Sequence, residues 1–362
     1  GSLGPTGDCS SDYGMQASRL GLEFLSEGFS HQLSYTKTRT DRQDFTESVP
    51  TFGSQGEQTR GEYIGSAKAL DGVDLIWGFD YQRDVANGLG RKNQGAFFEL
   101  LSDFSQAFFV TAGIRHDDNE DFGTNTSFRL SAAYLFETEF GTLKFKAARG
   151  SGFRAPSPFE IQYNRGPYAF TPATKDQLFQ EESKGWEFGA QFNTQELHLE
   201  ATLFDQSISN AIFFDLLSFS GYLQDEGRSA SSGIELVADY RITEMLRVSG
   251  NYTYNKTERP DGSQRLRRPN HLFNFGLRFA SLNNKMTMNA FYRSQAEAID
   301  VGDTALEDFG VLDLTAAFQI NETLRIYGRL ENALDEDYQE ISDYNTAGFA
   351  AYVGISLKLA AF

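Results

Sequence analysis

"LFNFGLRFA", Leu272–Ala280, carries the reading that decides the fold. Taken two residues at a time, Phe273, Phe275, Leu277 and Phe279 fall on one face, while Asn274, Gly276 and Arg278 fall on the other. Successive side chains of a strand point to opposite sides, so the stretch reads as a strand with one apolar face. The same pattern recurs in its neighbours. "RVSGNYTYNKT", Arg247–Thr257, sets Val248, Gly250, Tyr252 and Tyr254 against Ser249, Asn251, Thr253 and Asn255. "WEFGAQF", Trp186–Phe192, sets Trp186, Phe188, Ala190 and Phe192 against Glu187, Gly189 and Gln191. "TLRIYGRLE", Thr323–Glu331, places Leu324, Ile326 and Leu330 opposite Arg325, Tyr327, Arg329 and Glu331. No helical period competes in these stretches.

Composition agrees. The 362 residues include 33 Phe and 16 Tyr against 2 Trp and 4 Met, an aromatic excess that favours strands. Charged residues make up 23% and there are only 8 prolines, which argues against a disordered chain. A net charge of −18 speaks against a nucleic-acid partner, because phosphate binding needs clustered Lys and Arg. The single cysteine, Cys9, can form no internal disulfide. No run of 18 apolar residues is present, so no transmembrane helix is expected, and the first residues carry no signal-peptide pattern. Strands that cross an outer membrane would escape both tests, since alternation hides their apolar faces.

The connections alternate between short and long. Short ones fall near Gly28, at Leu70–Gly72, and near Thr194, Thr243, Asn283 and Asn321. Long ones are expected over residues 40–56, 86–92, 117–124, 150–180, 208–226, 256–270, 295–308 and 333–348. Strands of about 10–14 residues, with tight turns on one side and long loops on the other, predict an all-β, antiparallel transmembrane β-barrel. A soluble sandwich would need shorter strands. About seventeen strands can be counted, the first near Met15–Ser26 and the last near Ala351–Leu359. Bacterial single-chain barrels close with an even number, so the expectation is an N-terminally incomplete barrel over residues 1–362. Lys144, Lys146, Arg278, Arg325 and Arg329 lie on the polar phase and are expected to face a lumen.

Two motifs narrow the reading. "TLKFKAARGSGFRAPSPFE", Thr142–Glu160, climbs a strand and breaks at Gly150; about thirty residues later the chain descends as "FQEESKGWEFGAQF", Phe179–Phe192. The glycines invite a phosphate-loop reading, but such loops run from a strand into a helix N-terminus, and no helical pattern is expected after Gly152. The pair instead resembles TonB-dependent outer-membrane receptors, in Gly152-Phe153-Arg154-Ala155-Pro156 and in Glu182-Ser183, Trp186-Glu187 and Gly189, with Glu181 where a proline is usual. The C-terminal stretch resembles the closing pattern of the same family through Asn332, Leu334, Asp335 and Tyr338, with Ala333 where Leu is common. "DYNTAG", Asp343–Gly348, is similar to the cobalamin (vitamin B12) receptor branch, although Phe349 replaces the arginine common after that glycine. Gly113, Arg115 and Asp117 look like the Gly-x-Arg-x-Asp strand end of the family.

The resemblance implies a barrel of 22 strands, an N-terminal plug that is absent from these residues, and uptake of a scarce, bulky nutrient, cobalamin first and a ferric siderophore second. It implies partners as well: an inner-membrane energy-coupling protein reached through the missing N-terminal part, outer-membrane lipid, a small-molecule ligand, and the barrel-assembly machinery, which would read the terminal aromatic Phe362. A plugless passive porin or surface-binding barrel is the alternative. For ligand contact the aromatic loop Ile161–Phe179 offers Tyr163, Asn164, Arg165, Tyr168 and Phe170, and the segment Phe213–Gln224 offers Phe213, Phe214 and Tyr222. The other reading of these residues is two loops packed on one another as a lid. Asp117, Asp118 and Asp121 are the candidate ligands of a structural calcium, the only cofactor considered, against an ordinary solvated acidic loop. His31, His116, His198 and His271 are scattered, and no catalytic set is expected; His198 and Glu200 share a polar phase, but a pair two residues apart on a lumen face is common by chance.

Overall fold

The computed structural model describes residues 9–175, 177–281 and 283–358. In chain order the strands begin β1 (Cys9–Ser26), β2 (Phe29–Thr46), β3 (Val49–Leu70), β4 (Val73–Ala86), β5 (Leu89–Phe104) and β6 (Phe108–Asn119). They continue as β7 (Gly123–Thr138) and β8 (Gly141–Arg154), the helix α1 (Pro158–Arg165), then β9 (Glu181–Asn193) and β10 (Leu197–Ser209). Next come the short β11 (Ile212–Phe214) and β12 (Tyr222–Gln224), then β13 (Arg228–Arg241), β14 (Leu246–Glu258), β15 (His271–Ala280) and β16 (Met286–Ala296). The last are the short β17 (Ile299–Asp300) and β18 (Thr304–Ala305), followed by β19 (Phe309–Gln319), β20 (Leu324–Glu331) and β21 (Ala350–Leu357). Seventeen of the strands form one sheet, while β11–β12 and β17–β18 are separate two-stranded ribbons. Consecutive strands pair antiparallel from β1 to β6 and from β13 to β21, with β16 meeting β19 directly.

The chain clusters into two compact units. One takes in β1–β6 with the loops after β8 and β10, the other takes in β13–β21, and β7–β10 contribute residues to both. Within each, burial is the reverse of a water-soluble protein. Among the described residues fifteen polar or charged side chains are buried against seven apolar ones, so no apolar core shielded from water exists. In the first unit Leu20, Leu22, Phe24, Phe79, Phe98 and Ile114 are exposed, whereas Asp80, Arg91, Asp117 and Asn119 are buried on the other face. In the second, Phe273, Phe275 and Leu277 are exposed as the alternation predicted. An apolar patch this large would aggregate in water. Against hydrocarbon it is the expected surface of a membrane-crossing sheet.

Long inward cations reach partners two strands away by crossing a glycine. Arg115 on β6 lies across Gly95 on β5 to meet Asp80 on β4 at 2.7 Å, and it grips Asp117 with two further hydrogen bonds. A Cβ at Gly95 would overlap the Arg115 guanidinium. The second unit repeats the device: Lys146 on β8 passes over Gly189 on β9 to bond Glu200 on β10. Lys144, Arg278 and Arg325 stand on the same polar phase of their strands as expected, and Arg329 pairs with Glu331 and covers the ring of Tyr352.

Three expected long loops are absent as loops. Residues 40–56 are the tall ends of β2 and β3 joined by Glu47-Ser48, and residues 86–92 close through Asn87-Gly88. Residues 117–124 close through a three-residue turn, 120–122. Here cross-strand pairing simply continues, because the ladder is made by backbone N–H and C=O groups and does not depend on which side chains they carry. The strands of the main sheet therefore run from 8 to 22 residues, a wider spread than the 10–14 expected. β1 begins six residues earlier than expected and β21 spans Ala350–Leu357; Leu359 and the assembly candidate Phe362 lie outside the described residues. The long connections expected over 150–180, 208–226, 256–270, 295–308 and 333–348 are present, and fall between the main strands at 155–180, 210–227, 259–270, 297–308 and 332–349.

Candidate functional site

The expectation that no helix follows Gly152 is overturned. Ser157 caps α1: its hydroxyl accepts from the Glu160 amide at 3.2 Å, and the Glu160 carboxylate accepts from the Ser157 amide at 2.5 Å. Pro158 stands at the first helical position, where its missing N–H costs nothing. The Ser-x-x-Glu spacing is the signal that would have revealed the helix. The phosphate-loop reading stays excluded on new grounds: the Ser157 and Glu160 amides are taken by each other's side chains, Pro158 has no N–H, and the Glu160 carboxylate already sits at this end.

Arg154 at the end of β8 ties the region together. It grips both oxygens of Glu160 at 3.0 Å and also bonds Glu181 at the start of β9. Glu181 in turn accepts from the Ile212 amide of the next loop at 2.6 Å. One guanidinium thus joins a strand end, the helix and two loops, which explains why an arginine rather than a lysine suits this place.

The loops 155–180 and 210–227 are clasped by two side-chain amides. Asn164 donates to the Tyr222 carbonyl at 2.7 Å and accepts from its amide at 2.8 Å, as a neighbouring strand would. Gln224 does the same for Phe179 at 2.8 Å each way and also reaches the Asn210 carbonyl. Between them lies an aromatic cluster in edge-to-face contact: Tyr163–Phe214 at 5.5 Å, Tyr163–Tyr222 at 5.6 Å and Phe214–Tyr222 at 5.2 Å. Burial pushes the Tyr222 phenol above its ordinary pKa, and the Glu160 charge adds to the shift. Asp215 shapes the tip of the second loop, accepting from the hydroxyls of Ser218 and Ser220 and from two amides. Those hydrogen bonds hold its carboxyl well below the usual carboxylate range.

The eight ligand candidates divide by position. Tyr163, Asn164, Phe214 and Tyr222 pack the loops on each other; Phe213 stands in the same ribbon, paired with Leu223. Arg165, Tyr168 and Phe170 are exposed. Tyr168 is positioned from below by its hydroxyl on the Thr51 carbonyl at 2.9 Å and its ring on Phe52. The Phe170 amide bonds the Ser220 carbonyl at 3.0 Å, which joins its loop to the segment bearing Leu217 and Phe219. Those two, 76% and 60% exposed, were inside the quoted segment but not singled out; only the tertiary arrangement brings their loop to Phe170. The calcium candidates do not converge: Asp117 is held by Arg115 and Asn93, and Asp118 is exposed on the opposite phase of β6. The Asp121 amide, for its part, bonds Asn119.

In the second unit the closing motif is architectural. Asn332, buried at positive φ, donates to the carbonyls of Glu336 and Ala347, and Asp335 accepts from the Phe349 amide at 2.9 Å. Tyr338 stacks on Phe309 at 4.3 Å and bonds Arg293 at 2.7 Å. Asp300, 1% exposed, pins three loops by accepting from Arg267, Val301 and Ser342. His198 contacts Asn193 and lies 3.7 Å from Glu200, whose oxygens are taken by Lys146, Gln191 and Thr202.

The model of the family described as "TonB dependent receptor-like, beta-barrel" matches residues 4–333. The chain is 23% identical over 348 residues to the vitamin B12 transporter BtuB of Photobacterium profundum, covering 92% of this chain and 55% of that protein. It is 22% identical over 355 residues to the BtuB of Vibrio cholerae, covering 94% and 56%. It therefore spans about half the length of these curated relatives. Among solved structures it is similar to the siderophore receptor PirA of Acinetobacter baumannii, with a TM-score of 0.77 at 13% identity over 96% of this chain and 62% of the other. The copper transporter OprC gives a TM-score of 0.74 at 16% identity, over 96% and 66%. These likenesses, the inside-out sheet and the clasped loops agree: the chain belongs to the TonB-dependent receptor-like β-barrel family.

Proposed function

We propose that this chain is the barrel portion of an outer-membrane TonB-dependent transporter that captures cobalamin at its loop rim, with a ferric siderophore as the second choice of cargo. The observation that carries the reading is the pre-organised platform made by the loops 155–180 and 210–227, with Arg165, Tyr168, Phe170, Leu217 and Phe219 outermost. A ligand meeting loops that are already ordered avoids most of the ordering cost of binding. Flat aromatic faces with an arginine nearby suit a large ligand that is part apolar and part polar. The vitamin B12 transporters similar over more than nine tenths of this chain favour cobalamin. An energy-coupling partner in the inner membrane and a plug within the barrel belong to the same proposal.

The test is equilibrium binding of cyanocobalamin and of ferric siderophores to the native full-length protein. Saturable cobalamin binding, weakened roughly tenfold by Phe170→Ala with Phe219→Ala, is the expected result, each aromatic contributing about 0.5–1.5 kcal/mol beyond its area. Binding that both substitutions leave unchanged would remove these loops from the site. Ungated conductance with no binding of either ligand would instead mark a passive pore.

A further inference from the structure

The inward face of β4–β6 holds a second feature, beneath the β8–β9 loop. A cleft of about 380 Å³ is lined by Arg91, Arg115 and Arg154 together with Asp84, Asp117, Asn93 and Asn119. Two of the three guanidiniums are committed: Arg115 to Asp80 and Asp117, Arg154 to Glu160 and Glu181. Arg91 is not. It is only 8% exposed, and among the described residues no carboxylate oxygen comes within ion-pair distance of it. Its one hydrogen bond goes to the Pro156 carbonyl, and its guanidinium carbon lies 5.6 Å from the ring centre of Phe122.

The absence of a partner is specific. Asp84 stands directly opposite Arg91 in the β4–β5 register, yet it accepts from Gln58 and Gln82, both at 2.9 Å, instead of from Arg91. Asp117 is filled by Arg115 and Asn93. Of the carboxylates whose charge reaches Arg91, Asp84 and Glu160 are held by other donors and Asp121 stays beyond ion-pair distance, so the direct partners of the guanidinium are a carbonyl and a ring. A buried guanidinium with no carboxylate in direct contact leaves N–H donors unfilled, and its planar fork matches an oxyanion.

We infer that this cleft is an oxyanion site, in which a carboxylate or phosphate group completes the coordination of Arg91. The size suits one small anionic group with its immediate substituents. Pro156 fixes the guanidinium from above, and the Asn119–Asn93–Asp117 hydrogen-bond chain supplies a polar wall. The anion has two possible sources, a dissolved or ligand-borne oxyanion, or an acidic side chain from elsewhere in the full-length protein.

The native full-length protein distinguishes them. Calorimetric titration with inorganic phosphate, at constant ionic strength, is expected to show saturable binding that weakens roughly tenfold or more in Arg91→Gln and is unchanged in Arg39→Gln. That result assigns a free oxyanion. An absence of phosphate binding, together with an experimental structure showing an Asp or Glu oxygen within hydrogen-bond reach of Arg91, assigns an internal carboxylate. An experimental structure of the unsubstituted protein with only water around that guanidinium, and no phosphate binding, overturns the inference, whether or not Arg91→Gln folds.

Discussion

At the scale of single residues, the glycines of the inward face act as passages rather than as turns. Gly95 has no role in chain reversal; it leaves the space through which Arg115 reaches Asp80, itself only 2% exposed. Gly95→Ala should displace the guanidinium and leave that carboxylate with only the more distant Arg60, at 3.8 Å. The expected loss is about 2 kcal/mol, below the roughly 3–5 kcal/mol for a fully buried pair because Arg115 is partly exposed. A double-mutant cycle of Gly95→Ala with Arg115→Leu, read by unfolding in detergent, checks it: if the two effects simply add, the passage is not what matters. The large aromatics use glycine similarly. Trp77 covers Gly65 directly across β3–β4, and Tyr327 covers Gly354 across β20–β21, filling space on a face that would otherwise be bare.

Asp300 gives a pH-dependent prediction at the same scale. Burial alone would raise its carboxyl pKa, but the hydrogen bonds from Arg267, Ser342 and Val301 outweigh it and leave the value lowered. A carboxyl depressed in the folded state stabilises fully above its unfolded pKa of about 3.9, and that contribution is lost as pH falls through the lower folded value. The loops 259–270, 297–308 and 332–349 should therefore stay protected at neutral pH and open only in acid. Hydrogen exchange followed from pH 7 downward measures this. Asp300→Asn should open the same three loops already at neutral pH; protection in that variant matching the unsubstituted protein would show that the pin is dispensable.

At the scale of elements, α1 is too short to stand alone and depends on its ends. Ser157→Ala removes the cap, at about 1 kcal/mol. Asn164→Ala removes both bonds between α1 and Tyr222. The first should raise protease sensitivity within residues 158–165 only, and the second should loosen both loops together. Limited proteolysis with peptide mapping separates these outcomes. Equal cleavage of both loops in the two variants would mean that the helix, not the amide clasp, holds the platform. The hairpins show how unevenly sequence marks such elements. Asn87-Gly88, with φ of 46° and 89°, is a strong two-residue hairpin signal, and the expected long loop there was avoidable. Glu47-Ser48 adopts the same left-handed geometry, with φ of 51° and 64°, without any residue that favours it. There the pairing of β2 with β3 imposes the turn.

At the scale of the whole molecule, the proposed function predicts a separation between binding and transport. Collapse of the proton gradient should abolish accumulation of cobalamin while leaving surface binding intact, measured with labelled ligand in cells carrying the native gene. Accumulation that survives an uncoupler would point to a passive pore. By itself the sequence determined the strand alternation, the inward and outward phases, the count of seventeen strands in the sheet and the family, because period-two patterning and short motifs are local properties. It also marked the two aromatic loops. Only the tertiary structure decided what each aromatic does, packing Tyr163, Phe214 and Tyr222 between the loops and leaving Tyr168, Phe170 and Phe219 outermost. The same holds for Arg91, which faces Asp84 across the ladder yet forms no ion pair with it. Such choices depend on which partner a side chain meets across strands and loops distant in sequence, and that competition has no local signature.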